Sequence, residues 1–239
     1  MKKELAKLHC VKHKYPDETE VSACGLEFVV REGEKVALVG GNGSGKTTLI
    51  LHLLGILNPT EGEVSLLGVD PAKDFSKVGK SVGAVMQRVD DQLVGPTAID
   101  DVKFSLLNYG MSEKEAEKRA EETMRSLGIY EIKDKVIHYL SGGQKKRVAI
   151  AGALALHPKI LILDEAFNQI DPEGLKKVVE TIERLCRDKK MAVVMAVSNR
   201  EDLEYFEKIF LLKEGKIKFA GSKEEFLSSG IDDQFCSHP

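Results

Sequence analysis

Short apolar runs bounded by turn residues alternate along this chain with stretches in which apolar residues return every three or four positions. The short runs predict strands at Leu8–Lys12, Leu26–Val30, Lys35–Val39, Val64–Leu67, Val82–Met86, Ile160–Leu163 and Ala192–Val197. Ile209–Leu212 and Lys216–Phe219 read as a hairpin across Glu214-Gly215. Helical spacing covers Leu49, Ile50, Leu53, Leu54 and Leu57. It returns after a Ser112/Glu115 capping box at Ala116, Ala120, Met124 and Leu127, with Gly128 as the stop. A third helix runs through Val148, Ile150 and Ala151 to Leu156 and ends at Pro158. A fourth starts at Asp171-Pro172 as cap and first turn, with Leu175, Val178, Val179, Ile182 and Leu185 as its buried stripe. Residues 88–110 show no dominant period. The final residues are polar and are expected to fray. Strands alternating with helices predict an α/β domain with a largely parallel sheet.

Between the strand Lys35–Val39 and the first helix lies Gly40-Gly41-Asn42-Gly43-Ser44-Gly45-Lys46-Thr47-Thr48. It fits the phosphate-loop pattern G-x-x-x-x-G-K-[ST] in its required strand–loop–helix context. The glycines let backbone N–H groups turn inward around phosphates, and the helix aims its positive end at the same place. Lys46 is placed for the β- and γ-phosphates and Thr47 for Mg²⁺.

Composition narrows the class. The chain has 239 residues, 42% of them hydrophobic, and a net charge of −3, so there is no electrostatic footprint for nucleic acid. Cys10, Cys24, Cys186 and Cys236 form no C-x-x-C pair and read as reduced thiols of a cytosolic protein. The start, M-K-K-E-L-A-K-L, is too charged for a signal peptide, and no apolar run reaches the ~20 residues needed to span a bilayer. Work at a membrane would therefore need another chain as anchor.

Two further constellations carry chemistry. Asp164-Glu165 closes the apolar strand Ile160–Leu163, where ligands of α/β sheets bind. Asp164 suits Mg²⁺ and Glu165 suits polarising an attacking water, although two acids there also make an ordinary exposed turn. Leu140-Ser141-Gly142-Gly143-Gln144 opens a helix and forms a second anion site. Tyr15, beside Pro16, is either a turn aromatic or a stacking platform for a purine.

The ordered set G-G-N-G-S-G-K-T-T, L-S-G-G-Q and I-L-I-L-D-E strongly resembles the ATP-binding cassette (ABC) ATPases over essentially the whole chain. That resemblance implies a P-loop NTPase fold with a mostly parallel core sheet, an antiparallel β subdomain and a helical subdomain carrying the signature. It implies one ABC ATPase domain over 1–239, with the core and β subdomain at about 1–87 and 157–239 and the helical subdomain at about 88–156. It makes Tyr15 the adenine-stacking aromatic, and Gln87 a contact to Mg²⁺, the attacking water and the transmembrane partner. Ser141, Gly142, Gly143 and Gln144 become the signature, which binds the ATP held by the other subunit of a head-to-tail dimer. Asp171 becomes a residue that crosses the dimer interface. Two anion sites per chain make sense if each ATP is sandwiched between subunits. Val85–Leu93, Pro96–Phe104 and Asn108–Ser112 are similar to the ATPases of energy-coupling factor transporters for vitamins or cobalt and nickel ions. That implies a related second ATPase subunit (heterodimer or homodimer), a transmembrane coupling subunit, a substrate-binding membrane subunit and a peripheral place on the cytoplasmic face of the membrane. The acids Asp90, Asp91, Asp100 and Asp101 are expected to meet arginines of the membrane partner.

The chain departs from the family pattern in two places. Ala166-Phe167-Asn168-Gln169-Ile170 replaces the usual proline and small residues before Asp171. Ser198-Asn199-Arg200 follows the strand Ala192–Val197 where a switch histidine on the γ-phosphate is usual. Asn199 either substitutes as a hydrogen-bond donor or leaves a weakened hydrolytic site. An ATP-driven clamp on the same cassette is disfavoured by the absence of sustained heptads between Thr48 and Leu140, and a GTPase by the absence of N-K-x-D.

Overall fold

The computed structural model describes residues 2–24 and 26–230; Cys236, His238 and the polar C-terminal end lie outside them. The elements in chain order are β1 (Glu4–Lys14), β2 (Glu20–Ser22), β3 (Phe28–Arg31), β4 (Lys35–Val39), α1 (Lys46–Leu53), β5 (Glu61–Leu66) and α2 (Pro71–Asp74). Then come β6 (Val82–Val85), α3 (Ala98–Asn108), α4 (Glu113–Ser126), α5 (Gly142–Ala155), β7 (Ile160–Asp164) and α6 (Pro172–Lys189). The chain closes with β8 (Ala192–Val197), β9 (Lys208–Lys213), β10 (Lys216–Ser222) and α7 (Lys223–Ser228). They fall into two compact units, one made of the residues up to Gly79 with those from Ala192 onward, the other of Lys80–Met191.

In the first unit the strands run β3-β1-β2-β10-β9-β4-β8, with β5 paired to β1 off this path. β4 is parallel to both neighbours, with Leu38 opposite Ala196 on β8 and Phe210 on β9. Val36 to Val39 are wholly buried, as a strand covered on both faces requires. Leu49, Ile50 and Leu53 of α1 are buried as well. β1 is antiparallel to β2, β3 and β5, which forms the expected antiparallel part. β9 and β10 form the expected hairpin, and Glu214 and Gly215 both adopt positive φ (52° and 71°), the backbone that such a tight turn demands.

The cysteine reading is corrected here. Cys10 and Cys24 are joined in a disulfide. The β1–β2 register, with Lys12 opposite Ser22, places Cys10 directly opposite Cys24. Cross-strand opposition is set by the hairpin and leaves no local spacing motif. Cys186 is a buried free thiol.

In the second unit β6 and β7 are parallel, with Ala84 opposite Ile162. α5 packs against α3, α4 and β6. α4 has the capping box expected of Ser112 and Glu115 and buries Ala116, Ala120 and Met124. α6 starts as expected, with Gly174 N–H donating to Asp171 Oδ1 at 2.8 Å. Its stripe buries Val178, Val179 and Ile182, while Leu175 and Leu185 are half-buried. The stretch without a period contains a helix after all. α3 is capped by Thr97, carries Asp100 and Asp101 in its first turn, and buries Ala98, Ile99, Val102 and Leu106. No helix among the described residues is long and apolar enough to cross a membrane.

Candidate functional site

In the first unit, β4 ends and the chain turns through Gly40 (φ 149°), Gly43 (73°) and Gly45 (104°) into α1. A Cβ on Gly40 would collide with the Leu212 carbonyl, and one on Gly45 with Val21. The loop can therefore take this course only with glycine there. Gly45 caps α1 without any side-chain hydrogen bond, and there is no acid in the first turn. Ser44 Oγ is buried in the loop with no hydrogen-bond partner. Lys46 is 6% exposed. Its ammonium donates to the Gly40 carbonyl at 2.7 Å and the Gly41 carbonyl at 3.2 Å, so the cation lies folded over the loop. An uncapped helix N-terminus, an orphaned hydroxyl and a buried cation on a glycine cradle fit a polyphosphate. Thr47 is exposed at the start of α1, and Asn42 is exposed in the loop.

Tyr15 sits at the end of the β1–β2 hairpin, half-exposed, its hydroxyl 2.8 Å from Thr48 Oγ1. The phosphate-loop helix and the aromatic are thus tied together. The His13 ring meets Tyr15 edge-on at 4.4 Å, and His52 meets His13 at 5.0 Å. His52 Nδ1 is 2.9 Å from the Leu57 carbonyl. Burial pulls the His52 pKa down, so the ring is neutral at pH 7. Asn199 follows β8, is exposed, and its carbonyl accepts from Asp202 N–H at 3.3 Å.

In the second unit, β7 delivers Asp164 and Glu165. Asp164 is 1% exposed, whereas Glu165 leaves the strand with φ 48°, a left-handed turn costly for a residue with a Cβ. That turn sends the Glu165 carboxylate toward Gln87, whose Nε2 donates to Glu165 Oε2 at 3.1 Å. Asn168 Nδ2 donates to the same oxygen at 3.2 Å. Gln87 is itself steadied by Gln92, which accepts from Met86 N–H (3.0 Å) and donates to the Ala84 carbonyl (2.7 Å). Beneath them lies a residue the sequence reading missed. Lys146, 4% exposed, donates to the Gln87 carbonyl at 3.0 Å and the Glu165 carbonyl at 3.1 Å. Burial lowers its pKa, and the nearby charges of Glu165 and Asp164 oppose that shift. Its signal was present: it stands three residues after Gly143 and four before Ile150, on the buried face of α5.

The signature opens α5. Ser141 and Gln144 form a capping box, with Gln144 N–H on Ser141 Oγ at 3.3 Å and Ser141 N–H on Gln144 Oε1 at 3.0 Å. Gln144 thus serves the cap, while the Ser141 hydroxyl keeps its own proton to donate. A Cβ on Gly143 would strike the backbone carbonyl of Gln169, and one on Gly142 would crowd the Gln169 side chain. Asp171 caps α6 and lies 3.2 Å from Arg147 on α5. The Gly174 amide first, and the Arg147 charge after it, hold its pKa down.

The acidic residues reserved for a partner are engaged within the chain. Asp90 pairs with Lys145 at 2.6 Å and Asp91 with Arg88 at 3.1 Å. Asp100 accepts from Thr97 Oγ1 at 2.5 Å, and Asp101 accepts from the Val94 and Gly95 amides at 2.7 and 2.9 Å. Beside these acids the region exposes apolar side chains as well, Val94 and Phe104, and Tyr139 is 84% exposed. No group of three or more His, Cys, Asp or Glu gathers for a metal among the described residues.

Comparison with known proteins follows the same lines. Residues 24–168 match the ABC transporter family. The chain is 42% identical to the energy-coupling factor transporter ATP-binding protein EcfA of Methanocaldococcus jannaschii, over 90% of this chain and 78% of that protein. It is 40% identical to EcfA of Methanococcus maripaludis, over 91% and 79%. Among solved structures, cbiO1 of Clostridium perfringens, part of the ABC transporter complex cbiONQ, superposes with a TM-score of 0.80 at 33% identity, covering 97% of this chain and 94% of that one. A dimeric ATP-binding cassette in a post-hydrolysis state with ADP and Pi gives a TM-score of 0.82 at 28% identity, over 91% and 98%. Cassette fold, phosphate loop, signature and relatives agree, and the chain belongs to the ABC transporter family as an ATP-binding subunit of the energy-coupling factor kind.

Proposed function

We propose that this chain binds and hydrolyses ATP to power an importer of a vitamin or transition-metal ion, working in a head-to-tail pair with a second, related ATPase on a transmembrane coupling subunit. The observation that carries hydrolysis is the Gln87–Glu165 hydrogen bond at 3.1 Å, backed by Asn168 and Lys146. It holds a carboxylate where a water can be oriented and deprotonated. Lys46, the loop amides and Ser44 bind the triphosphate, and Tyr15 stacks on the adenine. Thr47, Asp164 and Gln87 are the oxygen donors this reading assigns to a Mg²⁺ that would neutralise phosphate charge. Ser141, Gly142 and Gly143 complete the partner subunit's site, and Asp171 faces that subunit. The exposed apolar residues Val94, Phe104 and Tyr139 receive the membrane partner alongside the exposed acids Asp90 and Asp91. The names of the EcfA relatives and of the cbiONQ component support this assembly.

Asn199 divides the labour. An amide is shorter than an imidazole and never cationic, so the site on this chain's own loop binds ATP but turns it over slowly, while its signature serves a faster site on the partner. The test is ATP affinity and turnover of the purified chain, alone and with its partner. Lys46→Ala abolishes binding, and Asn199→His raises turnover by ~10²–10³-fold, the usual worth of one preorganised donor. Brisk hydrolysis by the chain alone, unchanged by the histidine, would refute the slow-site reading.

A further inference from the structure

The Cys10–Cys24 disulfide has no part in the reactions described above, yet it encloses the residue on which adenine is proposed to stack. Tyr15 and its neighbour His13 both lie inside the loop that the disulfide closes. That loop is a weak piece of sheet. β1 and β2 share the register pairs Lys12–Ser22, His13–Val21 and Lys14–Glu20, and one further amide, Ala23 N–H to the Val11 carbonyl at 2.7 Å. β2 meets β10 through the single pair Lys216–Ser22. Thr60 adds two bonds on the β1 side, its N–H to the Lys12 carbonyl at 2.7 Å and its Oγ1 from Lys14 N–H at 3.1 Å, and the disulfide is the covalent tie across the ladder.

The disulfide sits where the sheet is already irregular. The pairing of β1 with β5 shifts register between His9 and Lys12. Cys10 there takes φ 44°, a left-handed backbone unusual for a residue with a Cβ. Gly62 on β5 presses so closely that a Cβ on it would collide with the Cys10 carbonyl. β1 thus bulges away from β5 at Cys10 and pairs with it again at Lys12, opposite Glu61, and the cross-link sits on that bulge. Cys10 is exposed and Cys24 half-exposed, so a small thiol can reach the bond.

We propose that the Cys10–Cys24 disulfide positions Tyr15, so that affinity for adenine nucleotide follows the thiol–disulfide state of the chain. The inference rests on the reading of Tyr15 as the adenine platform. A dithiol reductant attacks one sulfur of the disulfide, forms a mixed disulfide and then closes on itself. Two electrons and two protons pass to Cys10 and Cys24, and the reductant leaves as its own disulfide. The freed hairpin retains its ladder, the Thr48 hydroxyl and the His13 edge contact but loses its covalent cross-strand tie, so Tyr15 samples more positions and stacks for less of the time.

The test uses the full chain, a ribose-labelled fluorescent ATP analogue and inorganic tripolyphosphate as a baseless probe of the phosphate loop. Alkylation with mass spectrometry reports the state of Cys10 and Cys24. Reduction with dithiothreitol is expected to weaken the ATP analogue about five-fold, a fraction of what one base–aromatic stack is worth, and to leave tripolyphosphate affinity unchanged. Cys24→Ser should bind like the reduced chain with or without reductant. Tyr15→Ala should remove the dependence on reductant. Affinity measured across dithiothreitol buffers of graded oxidation should follow a two-electron curve. Equal ATP affinity in the two states overturns the proposal, as does tripolyphosphate affinity that falls in step with it. Oxidised chain whose ATP binding ignores both Tyr15→Ala and Lys46→Ala instead overturns the site reading beneath it.

Discussion

Single side chains decide more here than the motifs that contain them. Lys146 ties the Gln87 and Glu165 carbonyls to one point. Lys146→Met keeps the stem in the core and removes both bonds, so turnover of the assembled pair should fall by ~10-fold or more while ATP affinity holds, the pattern of a group that orients the reacting carboxylate. Lys146→Arg should restore part of the loss; equal turnover in wild type and Lys146→Met would show that Gln87 and Glu165 need no such tie. Asp202 gives a different kind of prediction. Burial first, then the charges of Glu201 and Glu204, raises its pKa to about 6. A carboxyl with a raised folded pKa stabilises the fold when protonated. That contribution is complete below the unfolded value near 3.8 and is lost as pH rises through about 6. Asp202→Asn should therefore raise stability at pH 7 by up to ~3 kcal/mol and flatten the pH dependence between those limits, read by urea unfolding at several pH values. Neither residue stood out in the sequence. A lysine in K-K-R reads as surface, and the burial of Asp202 comes from long-range packing.

At the scale of elements the sequence was clearest where a segment supplied its own signals. β4, β7 and β8 are continuous apolar runs, and α4 and α6 announce their caps; all were placed nearly to the residue. The failures share a cause. β2 is three residues long and exists through its pairing with β1 and one pair with β10. α3 hides because Asp100 and Asp101 interrupt its apolar positions, and they do so as first-turn acids that favour its positive end. The short α7, with its Ser222/Glu225 capping box, was lost in a polar tail. α6 ends on Lys190 at φ 55°, where glycine is the usual stop. Lys190→Gly should stabilise the chain by ~0.5–1 kcal/mol, relief of the left-handed strain exceeding the added freedom of the unfolded chain. A lower urea midpoint for that variant would mean that the Lys190 side chain has a role of its own.

For the whole molecule, the motifs were legible because residue type and spacing are set together within one short stretch, as at Gly40–Thr48 and Ser141–Gln144. The Cys10–Cys24 pairing, the engagement of Asp90, Asp91, Asp100 and Asp101, and the tie from Lys146 were not, because each joins residues that no local pattern connects. The assembly supplies the remaining prediction. Ser141→Arg should leave ATP binding to the isolated chain intact and stop turnover by the pair, measured by the same nucleotide titration and by phosphate release. Loss of binding by the lone chain, with pair turnover spared, would place the signature's action on its own nucleotide.

One helix has a consequence for how two nucleotides count each other. α5 begins at the signature serine, presses Gly143 against the Gln169 carbonyl, and five residues after Ser141 anchors Gln87 and Glu165 through Lys146. From Ser141 to Lys146 is only ~7–8 Å of helix, too short to bend appreciably. In the proposed pair, a partner's ATP that pulls on Ser141 would displace, in one stroke, the backbone that aims Glu165, and the two sites would be geared to one another. Turnover should rise sigmoidally with ATP, and Lys146→Met should flatten that curve toward a Hill coefficient of about 1 even where it leaves both sites occupied.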